Sequence, residues 1–397
     1  MPGTVFHTGI VRGVVIEAHS PHNKALALLD CSFANCDQKH ERESSDWHQC
    51  HRCSAHARGR GATRARSASP RRPETQSHTF PRGERLPCPP YFVVHSDWGT
   101  KASKRWAVRA TLSGLGYLVS EPFNIRQAET LVEESLQAAG ENGPALLGFD
   151  FAFGVPIQYA KHRRIDDFLA FVIEAESELF DAADEMSQVR SDRPFLAVAA
   201  RGDTKASFLP RVGLTDGGQL RRCERRTPYR RDGRCIFWPG AGQVAGATRS
   251  GWKEVLQPAL RSAARKAGQV RVWPFDGLLP ELVEPGTLTL VETYPAEFYA
   301  HLGMSGQDKG KHAWRTAQGS KLISAAAEMQ AVLDPELRRQ IEAGFGPGDD
   351  GEDKFDATVG TLGLLRVALG LDRSEAPPDD DVRRVEGWII SRPTADF

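Results

Sequence analysis

Short apolar runs that stop on an acid constrain this chain more than anything else in it. Tyr91-Phe92-Val93-Val94-His95-Ser96-Asp97 reads as a strand that ends on a carboxylate, and so does Ala145-Leu146-Leu147-Gly148-Phe149-Asp150. Leu288-Thr289-Leu290-Val291-Glu292 is a third such run, and Asp353-Lys354-Phe355-Asp356 opens a fourth apolar stretch of helical texture. The 145–151 run is too apolar to alternate, so it predicts a strand covered on both faces. Strand tips and helix starts are where a sheet-based fold gathers side chains that are remote in sequence. Gathered carboxylates repel one another unless a cation lies between them. The pattern therefore points to a divalent-metal site and phosphoryl chemistry.

The chain has 397 residues, of which 51 are basic and 51 acidic. Residues 1–90 hold 13 of the basic and 8 of the acidic ones, a net of +5, which leaves −5 for the remainder. Neither value demands a polyanionic partner. No run approaches the ~18 apolar residues of a bilayer-crossing helix. Ala25-Leu26-Ala27-Leu28-Leu29 is too short for a signal-peptide core, so the expectation is a soluble cytoplasmic protein with no membrane partner. Residues 1–90 read as a disordered basic extension: the Arg58 to Arg72 stretch is Arg-, Ser- and Pro-rich and cannot bury a core.

From Tyr91 onward the texture is globular. Runs at 91–98, 105–112 and 116–119 predict an antiparallel meander. Apolar residues at helical spacing predict a helix over 125–139, with Asn124 as N-cap and Gly140 as stop. The strand at 145–151 follows, then a long helix over 165–186, an irregular stretch over 190–250 and a helix over 252–267. Strands are expected at 270–273 and 287–293, and helices from Pro295, over 319–333, over 335–343 and from Asp356 to Leu369. Gly387-Trp388-Ile389-Ile390 reads as an edge strand. This order predicts a ribonuclease-H-like α/β domain over 91–397. It would have a mixed five-stranded sheet flanked by helices and a large insert at about 157–285. The same order is close to half of an actin-like ATPase domain.

In such a fold Asp97 and Asp150 sit on neighbouring strands, and Asp353 and Asp356, three apart, share one helix face. Together they suit two Mg²⁺ or Mn²⁺ ions, which favour oxygen ligands. Glu292 reads either as a further ligand or as the partner of a nearby Arg. Asp353 also suits a helix cap, and Asp356 the first turn of that helix, where negative charge is favoured. Asp150 lies among Phe149, Phe151 and Phe153, where a carboxylate is costly unless it is paired.

Five segments in order resemble a family. They are Val94-His95-Ser96-Asp97-Trp98-Gly99, Gly148-Phe149-Asp150-Phe151-Ala152-Phe153-Gly154-Val155-Pro156, Glu292-Thr293-Tyr294-Pro295-Ala296, Phe355-Asp356-Ala357 and Glu386-Gly387-Trp388-Ile389. Together they resemble the bacterial family called domain of unknown function 429, expected from fold comparison to be ribonuclease-H-like nucleases. The resemblance covers roughly 91–392. It implies that Asp97, Asp150 and Asp356 are the matching acids, with Glu292 and Asp353 beside them, and it implies no substrate. Where the family has an aromatic residue followed by proline, this chain has Phe151-Ala152-Phe153.

Other signals are weaker. Cys31-x4-Cys36-x13-Cys50-x2-Cys53 approximates the spacing of a zinc knuckle and offers Zn²⁺ as a ligand of residues 31–53, though its first pair is loosely spaced. The Arg221 to Arg234 stretch is Arg-dense, and Arg225, Arg226 and Arg230 are candidates for contacting the phosphates of a nucleic-acid substrate. Phe237 to Val244 has small residues that allow a ligand near the backbone, without a Walker pattern. Lys309, Lys311 and Arg315 form a second basic cluster that reads as solvated surface. His95 shares a strand face with Asp97 and reads as either its supporting partner or a core histidine. The expected activity is metal-dependent phosphodiester hydrolysis. An actin-like phosphotransferase and a non-catalytic scaffold are the competing expectations.

Overall fold

The computed structural model describes residues 82–394, apart from 115, 228–229, 241–243 and 305–307. The zinc spacing at Cys31, Cys36, Cys50 and Cys53 lies outside the described residues, as does the basic extension up to residue 81.

The described chain is an α/β structure built on one mixed sheet of eight strands. These are β1 (Phe92–Asp97), β2 (Trp106–Ser113), β3 (Gly116–Val119), β4 (Phe123–Asn124), β5 (Ala145–Phe149), β6 (Val270–Val272), β7 (Leu288–Glu292) and β8 (Ala331–Leu333). The order is β6-β7-β5-β1-β2-β3-β8, with β4 also on β2. β1, β2 and β3 form the expected antiparallel meander. β5 lies parallel to β1, and β7 parallel to β5. The runs expected as strands at 91–98, 105–112, 116–119, 145–151, 270–273 and 287–293 all contribute to this sheet, which is wider than the expected five strands. β6 extends one edge, β8 extends the other, and β4 adds a two-residue pairing.

Alternation divides the core in two. Val94, Leu147, Phe149, Leu288 and Leu290 face one layer, made of the Ala128–Asn142 helix and the short helices between β5 and β6. Val93, Leu146 and Val291 face the other, made of the Pro295–His301, His312–Glu328 and Gly351–Ala368 helices. Every residue of the last helix from Phe355 to Ala368 is buried. Its small residues allow this: a methyl at Gly360 would overlap the His95 ring, and one at Gly363 would overlap Phe298. The Thr361 hydroxyl donates to the Val108 carbonyl (2.9 Å) and accepts from the His95 N–H (3.2 Å), tying helix to sheet.

Several elements differ from the sequence-based expectation, each for a local reason. The expected 165–186 helix is split into Phe168–Glu174 and Ser177–Phe180. Gln257 and Arg261 side chains bond the carbonyls of Val172, Ile173 and Ala175, which a continuing helix would have used. The helix expected at 319–333 ends at Glu328, and residues 331–333 pair with β3 instead. The first helix starts at Ala128, because Asn124 belongs to β4 and donates to the Ala102 and Arg105 carbonyls. The expected 387–390 edge strand is a single bridge from Ile389 to Glu292. Gly387 has φ +66° there, with the Phe153 carbonyl where a Cβ would lie, so the backbone turns away rather than extending. No helix among the described residues is long and apolar enough to cross a membrane.

Candidate carboxylate site

Asp97 is the last residue of β1 and Asp150 follows the last residue of β5. Ser96 pairs with Phe149 in the parallel register, so the two acids leave neighbouring strands side by side. Both lie on the sheet face that carries His95 and Gly148, the face covered by the 351–368 helix. The Trp98 N–H donates to Asp150 Oδ1 at 2.7 Å, which fixes that carboxyl against the chain beyond β1.

Asp356 reaches the same place from the helix. It is 2% exposed. Its Oδ1 accepts from the Tyr299 hydroxyl at 2.5 Å, and its Oδ2 pairs with the Lys309 ammonium. Asp353, one turn earlier, lies 3.3 Å from Lys104 Nζ. The structure therefore brings together Asp97, Asp150 and Asp356, with Asp353 at the rim and Lys309 among them.

The electrostatics follow from this crowding. Burial, then the charges of Asp150 and Asp356, hold the Asp97 carboxyl well above the usual range, against the pull of Lys309. Burial pushes Asp150 up to about 7, opposed by the Trp98 N–H and by a side-chain hydrogen bond with Asp97. Both carboxyls are thus biased toward the protonated form. Burial works against the Lys309 charge, but Asp356 and Asp97 outweigh it and lift its pKa well above the ordinary lysine value. Burial and the adjacent Asp356 charge keep the Tyr299 phenol protonated.

Glu292 is placed elsewhere. It pairs with Phe149, so strand alternation points it to the opposite face from Asp150. There its carboxylate receives Arg221 at 2.6 and 2.7 Å and the Phe153 N–H at 2.7 Å. Of the two readings of this residue, the arginine-paired one is what the structure contains. Arg230 is also committed: it is buried, with Nε 2.7 Å from Glu297 and its guanidinium on the Cys223 carbonyl. Arg225 and Arg226 stand exposed. His95 is a core residue; its Nδ1 lies 2.7 Å from Thr293 Oγ1, and burial lowers its pKa to about 3.

Lys309 and Tyr299 escape a reading of the sequence as members of this site. Lys309 belongs to a basic cluster with the look of ordinary surface, and Tyr299 is one aromatic residue in an apolar helix. Only the fold places them against Asp356. Among the described residues, no group of three or more Asp, Glu, His or Cys side chains is placed so that it could hold a metal ion. Lys309 already stands against one of the Asp356 oxygens.

A cavity of about 270 Å³ is lined by Thr100, Phe195, Pro239, Gly240, Gly246 and Arg249, and by none of the four acids. Thr100 is three residues beyond Asp97. Arg249 donates to the Phe180 carbonyl at 2.9 Å. Comparison with family models, with curated proteins and with solved structures found no match.

Proposed function

We propose that this chain is a divalent-metal-dependent phosphodiester hydrolase on a ribonuclease-H-like sheet, acting on nucleic acid. The observation that carries the reading is the convergence of Asp97, Asp150 and Asp356 from two neighbouring parallel strands and a helix, close enough to perturb one another's protonation. Two further features support it. An antiparallel meander whose first strand is followed across the sheet by parallel β5 and then parallel β7 is the strand arrangement expected of that fold. The resemblance noted from the five sequence segments points the same way.

The donor set fits Mg²⁺ or Mn²⁺: it is all oxygen, and it carries more negative charge than Lys309 offsets. Asp97 and Asp150 would hold the ion, with Asp356 supporting it. A bound divalent ion would supply an activated water at neutral pH and stabilise a leaving oxygen. The protein's own groups position the acids. The Trp98 N–H orients Asp150, while Tyr299 and Lys309 orient Asp356. Lys101, exposed after β1, and Arg225 and Arg226 are available to phosphates. The described cysteines, Cys88, Cys223 and Cys235, are free thiols, which suits a reducing cytoplasmic setting.

The test is cleavage of structured DNA and RNA by the purified chain with Mn²⁺. Cleavage is expected with the wild type and not with Asp97→Asn, and metal-independent or absent cleavage across both substrates would overturn the reading. A phosphotransferase reading has one observation in its favour, the cavity at Thr100 directly after the first strand. A rise in melting temperature with ATP and Mg²⁺, without nuclease activity, would select it.

A further inference from the structure

We infer that the cavity lined by Thr100, Phe195 and Arg249 binds a small carboxylic acid with an apolar body, its carboxylate held by the Arg249 guanidinium and the Thr100 hydroxyl. Among the described residues no Asp or Glu lines this cavity.

Arg249 is half-buried and under-used. Its Nη1 donates to the Phe180 carbonyl at 2.9 Å, and among the described residues no carboxylate faces it, so Nε and Nη2 are left without a protein partner. Buried arginines elsewhere are committed. Arg221, Arg230 and Arg366 each hold a carboxylate. Arg315 spends all three of its nitrogens on carbonyls. A partly desolvated charge with no counter-charge is costly. The unused Nε and Nη2 form one edge of the guanidinium, and such an edge meets the two oxygens of a carboxylate in parallel.

Thr100 supplies a third donor. Its carbonyl accepts from Arg105 Nη2 at 3.1 Å, which fixes the backbone, while its hydroxyl has no hydrogen bond among the described residues. Gly246 leaves room for that hydroxyl, since a Cβ there would collide with Thr100 Oγ1. Three donors suffice for the two oxygens of a carboxylate and leave a phosphate monoester, with three, under-bonded.

The rest of the wall is apolar. Phe195, Leu196 and Ala245 are buried in it, and Pro239 joins them. Ala197 is an exposed part of the wall, and Val198 beside it is 72% exposed, apolar surface that an apolar ligand would cover. At about 270 Å³ the cavity suits a single ring or a short branched chain.

The experiment is calorimetric titration of the full chain with benzoate, with benzamide as the neutral isostere and phenyl phosphate as the phosphate alternative. One benzoate should bind per chain, roughly tenfold or more tightly than either alternative, because hydrogen bonds to a charged group are worth at least that. Arg249→Met should abolish the preference for benzoate over benzamide. Ala197→Glu puts a like charge on the wall through an exposed position and tests the same point should the arginine variant fail to fold. It should weaken benzoate by a similar factor, and Ala197→Gln should not. Equal binding of benzoate and benzamide, no binding of either, or wild-type benzoate affinity in folded Arg249→Met or Ala197→Glu would overturn the inference. Tighter binding of phenyl phosphate would overturn the carboxylate assignment. None of these outcomes bears on cleavage of DNA or RNA, so the hydrolase reading stands or falls separately.

Discussion

Asp150 shows what a single carboxyl does when it is held beside another. Its pKa near 7 in the folded chain lies above the value near 4 of an unfolded aspartate. Between those values the folded state holds a proton that the unfolded state has released. This group's contribution to stability is therefore present at low pH and is lost as pH rises from about 4 through 7. Asp97 is shifted in the same direction. Metal-free protein, with chelator present, should show a pH-dependent fall in melting temperature across this window. Asp150→Asn should flatten the dependence, and an unchanged slope would contradict the raised Asp150 pKa. Mn²⁺ affinity should run the opposite way, rising with pH as the proton leaves. Glu292 supplies the contrast. Glu292→Gln strips a charge from a buried ion pair with Arg221, and such losses cost about 3–5 kcal/mol. Chemical denaturation should show that loss, while calorimetry on the folded variant should return the wild-type Mn²⁺ stoichiometry, because Glu292 faces the other side of the sheet.

At the scale of elements, the Gly351–Ala368 helix matters most, because it brings Asp356 to the strands. Its seat depends on Gly360, whose missing side chain leaves room for the His95 ring. Gly360→Ala should destabilise by about 1–3 kcal/mol through overpacking and weaken Mn²⁺ binding as the helix is displaced. Gly140→Ala is the control. It lies in the Ala128–Asn142 helix with nothing within 4 Å of the added methyl, and it should stabilise by roughly 0.5–1 kcal/mol. Thermal melts of both variants would check the pair. The same helix shows how far the sequence reaches. Asp97, Asp150 and Asp356 were legible because each ends or begins an apolar run, and such runs mark strand tips and helix starts. Glu292 looks identical in one dimension; only the register with Phe149 shows that it points away. Arg230 was legible as a cation, but its burial against Glu297 depends on a helix 67 residues later. Lys309 left no local trace, since its place is set by Arg315 and by a turn beyond residue 340. Likewise residues 331–333 have helix-like composition, and the open edge of β3 makes them a strand.

At the scale of the molecule, the sheet is shared property. β1 gives Val94 to one core and Val93 to the other, β5 gives Leu147 and Leu146, and β7 gives Leu290 and Val291. Neither layer can lose its packing without stripping one face of the strands on which the other depends. The described residues form one compact unit, consistent with this coupling. Unfolding should therefore be a single transition. Trp252 is buried in the layer between β5 and β6, and Trp388 in the opposite one. With fluorotryptophan labels, the NMR signals of both should vanish at the same denaturant concentration. Mn²⁺ should move both midpoints together, because its ligands come from β1, the end of β5 and the helix on the far face. The size follows mass action, about 2.7 kcal/mol at a hundredfold excess over the dissociation constant. If the Trp252 signal were lost first, at a midpoint insensitive to Mn²⁺, the layer between β5 and β6 would be an independent folding unit that the metal site does not hold.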